Sequence, residues 1–507
     1  MKQIKTYDVV VIGSGLGGLV TALLLAQEGK KVCVLEKNNQ YGGNLQTFVR
    51  DKTIFDTGVH YIGGLGPGEN LNRYFTYLGV LGDLELEQMN MDGFDVIAFG
   101  NVSLRYPLAQ GYEHFIEKLL PYFPDEESAL KKYIETVREY CKHFPLYNLQ
   151  KGFGYNESVM QHSVQEVMDD ITSNKVLQSV LLGNSFLYAA DYSHTPFYVH
   201  ALTVNSYIQS AWRCVKGGSQ LTKAFVRRSR EHNAELFRHQ KVEKLNFKEK
   251  KIESCETADT IYKAAEFVSD IDLEQLFGMF GEEHRNKPYI RRISTLKNTP
   301  SVFSVHIVLK PEAIPYFNYN IYHFETEDDV FYGEAECPSK PRMMVITTNP
   351  HEKGSTFAKS ISLMTYMEYD AVAQWQNSFN TVAEKTPRGE SYEVFKSVVT
   401  GHMLSMLAEY FPSVREQLVS VHASTPLTYR DYIGSADGTM YGFQKEAAHP
   451  LKTLISPKTK IENLYLTGQN VRLHGILGVT VTGFLTVGEM LGRDYFFDKV
   501  FKKVGHV

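Results

Sequence analysis

Cysteine is scarce and follows no pairing pattern. The chain has five, Cys33, Cys141, Cys214, Cys255 and Cys337, with no CxxC among them. An odd count at scattered spacing argues against a disulfide framework and a four-cysteine zinc site. A reduced, cytoplasmic compartment is the expectation. Tryptophan is scarcer still, with two residues, so 31 Tyr and 30 Phe carry the aromatic content. That balance implies large cores, or long apolar pockets with polar tips. Neither charge sign dominates: 53 Lys and Arg stand against 58 Asp and Glu, for a net charge of −5. The basic footprint of a nucleic-acid binder is missing. No window holds ~20 uninterrupted apolar residues, so no spanning helix is expected. The basic start Met1–Lys5 followed by apolar residues superficially suggests a signal peptide, but Gly13, Ser14, Gly15, Gly17 and Gly18 break the run. There is no HExxH and no GxSxG in a strand–turn–helix setting, so no metal site and no hydrolase elbow are expected.

What remains is an ordinary globular composition over 507 residues, enough for two to four domains at ~150 residues each. The start of the chain carries the clearest motif. Tyr7–Ile12 (Y-D-V-V-V-I) is a β-branched run suited to a strand buried on both faces. G-S-G-L-G-G follows, then an apolar helical stretch ended by Gly29, then a second apolar strand, Lys31–Leu35, ending at Glu36. This is a β-α-β unit with GxGxxG at Gly13, Gly15 and Gly18. Gly13 permits the tight turn, Gly15 lets the backbone approach a pyrophosphate, and Gly18 lets helix and strand pack closely. The helix N-terminus offers free N–H groups and a positive dipole end. Glu36 stands where an acid receives ribose hydroxyls. After it comes Y-G-G-N, and Gly42-Gly43 would let a second loop pass close to the pyrophosphate. That pair favours FAD over NAD.

Four blocks give a wider resemblance: Val9–Phe48; F-D-T-G-V-H-Y-I-G-G at Phe55–Gly64; V-K-G-G-S-Q-L-T-K-A-F at Val215–Phe225; and L-Y-L-T-G-Q-N-V-R-L-H-G-I-L-G-V-T-V-T-G-F at Leu464–Phe484. Together they resemble the phytoene desaturase, carotenoid isomerase and retinol saturase family of FAD-dependent oxidoreductases, on its retinol saturase-like side. Gly468-Gln469-Asn470 departs from the Gly- and Pro-rich run of bacterial desaturases. The resemblance implies an α/β fold. A Rossmann-type FAD-binding domain, like that of flavin amine oxidases and phytoene desaturases, would be assembled from residues 1–75, 217–292 and 461–507. An inserted α+β substrate domain would comprise residues 76–216 and 293–460. The cofactor contacts it implies are Gly13, Ser14, Gly15, Leu16, Gly17, Gly18, Glu36, Lys37, Gly42, Gly43, Asn44, His60, Val242, Asp270, Gly468, Gln469, Gly478, Val479 and Thr480. Gly478, Val479 and Thr480 would bring backbone N–H groups and a helix dipole to the flavin N1 and C2=O.

Other elements are read from pattern. Ser219–Glu231 predicts a helix; Glu235–Arg238, Lys241–Phe247 and Ile252–Cys255 predict strands; Ala264–Asp272 predicts the strand that rejoins the Rossmann sheet. Glu126–Phe144 and Glu157–Asp170 show helical spacing, and Val302–Leu309, Met343–Thr348 and Ser360–Tyr366 read as strands. His60, Tyr61 and His474 are the candidate catalytic side chains, since reduction of an alkene needs a proton as well as a hydride. No second GxGxxG stands in a β-α-β context. Electrons are therefore expected from transient docking of NAD(P)H, from a partner protein, or from the substrate, an apolar small molecule. The C-terminal R-D-Y-F-F-D-K-V-F-K-K-V sets Phe497, Val500, Phe501 and Val504 on one helical face beside three lysines. Such a helix either docks on its own domain or contacts a membrane surface peripherally. Two other functions fit the first block. One is a flavin amine oxidase or protoporphyrinogen oxidase relative. The other is a flavin-binding interaction protein without catalysis.

Overall fold

Tyr7–Ile12 is the end of a ten-residue strand, Gln3–Ile12, in the middle of a seven-stranded sheet. The computed structural model describes residues 2–152, 157–285, 288–331 and 337–504. Val9, Val10 and Val11 expose no surface, as a strand covered on both faces requires. The order across the sheet is Glu235–Phe237, Val32–Leu35, Gln3–Ile12, Thr260–Ser269, Lys251–Glu256 and Lys244–Lys248, with Leu464–Leu466 also paired to Thr260–Ser269. The first four and Leu464–Leu466 run parallel; Lys251–Glu256 and Lys244–Lys248 form an antiparallel meander. Three distant stretches of chain thus complete one Rossmann-type sheet. Helix Leu16–Gln27 covers it and packs on helices Ser219–Glu231 and Gly475–Leu491. A Cβ on Gly483 would stand 2.6 Å from Val20, so these two helices cross in direct contact.

Several predicted boundaries shift for local reasons. The strand at Ala264–Asp272 is Thr260–Ser269 instead. Asp272 ends it by capping the next helix, accepting hydrogen bonds from the N–H groups of Glu274 and Gln275. The strand predicted from Lys241 begins at Lys244, leaving Val242 buried in the lead-in. Glu157–Asp170 is not one helix. A short 3₁₀ turn, Glu157–Met160, precedes helix Val164–Ile171, whose start is fixed by a capping box between Ser163 and Glu166.

A second seven-stranded sheet runs Leu418–Ser424, Ser301–Leu309, Ser360–Met367, Met343–Thr347, Asn320–Phe324, Asp95–Phe99 and Tyr106–Leu108. The period of two sorts its side chains onto two cores. Met344 and Ile346 join the core under helix Glu390–Tyr410. Met343 and Val345 point to the opposite core, with helices Glu127–Lys142, Lys175–Leu181 and Phe197–Gln209. At the C-terminus, Phe496, Phe497, Val500 and Val504 of helix Arg493–Val504 are buried against the nucleotide domain. The apolar face that suggested membrane contact is therefore occupied by the protein itself. Among the described residues no helix is long and apolar enough to cross a membrane.

Candidate active site

The nucleotide end is built almost wholly from backbone. Gly13 turns the chain at φ +99°, a conformation in which any other residue is strained. Gly15 caps helix Leu16–Gln27 in extended conformation and, as a glycine, brings no capping side chain of its own. Glu36, buried at the end of the second strand, accepts from the Ser14 hydroxyl at 2.5 Å and from the Asn38 N–H at 2.8 Å. Ser14 in turn stitches in the second loop, because the Gly42 N–H donates to the Ser14 carbonyl at 2.9 Å. Asn44, in the 3₁₀ turn Gly43–Leu45, packs over Gly58. Lys37 is largely buried, its ammonium directed at Gly434, and burial lowers its pKa.

Asp270 follows the strand Thr260–Ser269 and reaches into this cradle. A Cβ on Gly15 or on Gly17 would lie 2.6 Å from its carboxylate. Burial raises its pKa to about 7, with the Glu36 charge adding to it and the nearby Gly18 and Gly15 N–H groups opposing. One of its oxygens is buried without a partner. The Gly17 Cβ direction also meets the Gly468 backbone at 2.6 Å, so Gly468 belongs to the same cradle. Val242 is buried in the core beneath the adjacent sheet.

The helix near the expected flavin position starts earlier than predicted. It runs Gly475–Leu491 with His474 as its N-cap residue. Its free N–H groups are therefore those of the first turn from Gly475, while Val479 and Thr480 are buried in its second turn. The Thr480 hydroxyl donates to the Ile476 carbonyl at 2.7 Å. The missing side chain of Gly478 serves packing on Leu473, since a Cβ there would stand 2.7 Å from Leu473 Cβ.

Between this helix and helix Phe197–Gln209 lies a cavity of about 340 Å³. Gly63, Tyr147, Leu202, Tyr207 and Leu477 are among its walls, and Arg472 and His474 also line it. Its volume suits a small organic ligand. Of the three candidate catalytic side chains, His474 alone lines the cavity. Its ring lies 4.5 Å from that of Tyr441, and its Nε2 is buried without a partner. Burial and the neighbouring Lys445 push its pKa down to about 4, so the imidazole is neutral at pH 7.

His60 and Tyr61 are held differently. Tyr61 donates to Asp95 at 2.9 Å and shares a 2.7 Å hydrogen bond with Tyr322. Its ring packs on Tyr207, 4.6 Å away. Asn320 and Asn184 also donate to Asp95, at 2.9 and 3.2 Å. Burial nonetheless raises Asp95 to about 6. His60 lies near Arg213 and His306, its Nδ1 buried and unpartnered, and burial lowers its pKa to about 4.

Sequence reading missed four of these groups: Asp95, Tyr322, Arg213 and Lys445. Arg213 is fully buried and donates to Asn320 and to the Tyr319 carbonyl at 2.8 and 2.9 Å. Its position three residues before the Lys216-Gly217-Gly218 turn was the one available signal. Asp56, within the second block, accepts from the Gly218 N–H at 2.6 Å and from Asn349 at 2.7 Å, and so ties the second block to the third.

Residues 11–78 match the family model of the NAD(P)-binding Rossmann-like domain. The chain is 27% identical to the all-trans-retinol 13,14-reductase of Rattus norvegicus, over 97% of this chain and 86% of the relative. It is 22% identical to prolycopene isomerase 2 of an Oncidium hybrid cultivar, over 98% and 86%. Among solved structures, a triple mutant of putrescine oxidase superposes with a TM-score of 0.65 at 14% identity, covering 97% of this chain and all of the other. That last likeness concerns the fold alone. Both sequence relatives match this chain over nearly its whole length.

Proposed function

We propose that this protein is an FAD-dependent oxidoreductase acting on carbon–carbon double bonds of an apolar, conjugated substrate of retinoid or carotenoid type. The observation that carries this reading is the largely apolar cavity at the N-terminus of helix Gly475–Leu491, joined by one fold to the Gly13–Gly18 cradle. The cradle fits the dinucleotide. The helix start at Gly15–Gly18 suits the pyrophosphate, and Glu36 suits the adenosine ribose. The unpartnered Asp270 oxygen suits a hydroxyl of the ribityl chain. When bound, FAD supplies two-electron redox chemistry at its isoalloxazine ring.

The chain's own residues do the rest. The walls exclude water and hold the conjugated chain in reach, which is worth ~7–11 kcal/mol of barrier when alignment is good. The first-turn N–H groups of Gly475–Leu491 stabilise negative charge. His474, neutral and in the cavity wall, is the group we assign to deliver or take a proton. Tyr61 is committed to Asp95 and Tyr322 and shapes the wall through Tyr207. Electrons are proposed to arrive from NAD(P)H docking transiently, or from an electron-donor partner.

Amine oxidation is disfavoured by charge, because Arg472 in the cavity wall repels an ammonium. Lys445 is bonded to the Thr453 carbonyl at 3.0 Å and is not part of that wall. The test is anaerobic. The reduced protein is mixed with retinoids, carotenoids, unsaturated lipids and simple primary amines, and flavin reoxidation is followed at 450 nm. Reoxidation by conjugated polyenes is expected; turnover on amines at a comparable rate would overturn the proposal.

A further inference from the structure

A polar row crosses the second sheet through its buried middle. His306 stands opposite His422 on one side and Ser362 on the other, and Ser362 stands opposite Thr347. Ile321 pairs with Ile346, so Asn320 lies opposite Thr347 in the same register, and Asn320 pairs with Asp95. Cross-strand partners share a face of the sheet. Six neighbouring strands therefore set His422, His306, Ser362, Thr347, Asn320 and Asp95 in one line, on the face where Met343 and Val345 also lie. The next row on that face, Ser304, Met364, Val345, Tyr322 and Ile97, is mostly apolar.

Five members of the line are buried, and His422 is partly exposed. Burying polar groups is costly unless each finds a hydrogen bond. Here Thr347 Oγ1 has no partner, nor do His60 Nδ1 and Arg213 Nε beside the row. Arg213 donates to Asn320 at 2.8 Å, and His60 is close enough to His306 for their charges to interact. Ordered water satisfies such buried atoms and bridges gaps longer than a direct hydrogen bond. At the outer end His422 Nε2 lies 3.2 Å from the Ser420 hydroxyl and 3.6 Å from the carboxylate of Asp51, in the exposed turn between strands Thr47–Arg50 and Thr53–Asp56. At the inner end Asp95 accepts from Tyr61. The Tyr61 ring packs on Tyr207 of the cavity wall, and Tyr441 packs on His474.

Reducing an alkene takes a hydride and a proton, and desaturation releases both. Walls that exclude water leave the proton no direct way in. We propose that this row is a proton path between the surface pair Asp51–His422 and the cavity wall at Asp95 and Tyr61. In reduction the hydride brings the electron pair of one new C–H bond, and the alkene π pair takes a proton from the wall for the other. A proton from bulk water, passed along the row, replaces it; in desaturation it leaves the same way. Histidine suits the task because one ring nitrogen accepts while the other gives. Burial, with His60, His422 and Arg50 nearby, holds His306 at about 3, so it carries no resting charge. The row residues relay and position; none is assigned contact with substrate. The inference rests on the reading of the cavity as the substrate site.

The first test needs no substrate. In FAD-loaded protein labelled with ¹⁵N-histidine, the ring N–H of His306 should exchange with water faster than that of His200, an equally buried ring held by Tyr133 and Tyr188. His422→Ala should lose the fast exchange at His306, leave His200 unchanged, and regain exchange when imidazole is added. The second test follows flavin reoxidation by a conjugated polyene, anaerobically, in H₂O and in D₂O. Thr347→Val keeps the shape and removes the hydroxyl. It should slow reoxidation at saturating polyene by ~10²-fold and raise the solvent isotope effect, with FAD content and polyene Kd unchanged. If one variant does not fold, the other and the wild-type exchange comparison still decide. His306 exchanging no faster than His200, or both variants matching the wild-type rate and isotope effect, would overturn the inference and leave the oxidoreductase reading standing. A slower rate with an unchanged isotope effect and no rescue by imidazole would mean that the row only supports the sheet, and would overturn it too. If no conjugated polyene reoxidises the flavin, both fail.

Discussion

Ser14, Glu36 and Gly42 meet within a single β-α-β unit, and most of the contacts around Gly13–Gly18 are made by backbone. The cavity is the opposite case. Gly63, Tyr147, Tyr207 and His474 reach it from four distant segments, and its character comes from side chains. The nucleotide end is intolerant because a backbone contact leaves no room for any Cβ. The cavity end is adaptable because its walls can change one side chain at a time.

Breaking the first region should have the largest effect. Gly15→Val adds a side chain whose first carbon would already stand 2.6 Å from the Asp270 carboxylate, where the pyrophosphate is expected. Flavin should be absent from the purified variant, read as the 450 to 280 nm absorbance ratio, with the circular dichroism spectrum unchanged. A folded Gly15→Val protein with normal FAD content would sink the assignment of this loop.

The same division decided what was legible in the sequence. Helix Ser219–Glu231 was readable to the residue because its apolar spacing is local, and the first β-α-β unit was readable in kind and order, though its strands are Gln3–Ile12 and Val32–Leu35 where Tyr7–Ile12 and Lys31–Leu35 were expected. The break inside Glu157–Asp170 was readable in principle from Ser163 and Glu166, but helical spacing on both sides masked it. Asp95 was not readable. It matters only because Tyr61, Asn184 and Asn320 converge on it from three segments far apart in the chain. Lys445 looks like an ordinary surface charge until the fold buries it. Long-range pairing carries no signature in a single sequence.

The second region should break alone when it is filled. Thr203 lines the cavity and is only partly buried, so Thr203→Trp would occupy space meant for substrate without rupturing the core. Ligand affinity should fall by at least tenfold, which corresponds to about 1.4 kcal/mol, while FAD content stays normal. Loss of FAD together with substrate binding would show that the two regions are one site and not two.

A subtler difference concerns pH. Asp95 is buried beside the cavity, and burial raises it to about 6 in the folded protein, against ~3.9 in an unfolded chain. The folded state therefore holds this proton more tightly. The stabilising contribution of the group is complete below about pH 4 and is lost as pH rises through about 6. Asp95→Asn cannot titrate. Its urea midpoint relative to wild type should improve between pH 4 and pH 7, by on the order of 2 kcal/mol. A constant difference across that range would mean that Asp95 is not perturbed.

The smallest effect is expected farthest from both regions, on the helix that closes the nucleotide domain. Lys499 pairs with Glu28 at 2.6 Å, but its side chain is about half exposed. Exposed pairs of this kind contribute roughly 0–1 kcal/mol, because water and salt screen them. Phe497 on the same helix is 1% exposed and packs in the core. Phe497→Ala should cost ~3–5 kcal/mol, whereas Lys499→Ala should shift the urea midpoint barely at all, and less still at high salt. The pair also decides how this helix is used. If its basic edge met an anionic membrane, Lys499→Ala would weaken binding to phosphatidylserine vesicles while leaving stability intact. With Phe496, Phe497, Val500 and Val504 buried in the protein, no apolar face remains to insert, and vesicle binding by wild type should be negligible in a flotation assay. Strong, lysine-dependent flotation would mean that the helix leaves its own domain to reach the bilayer.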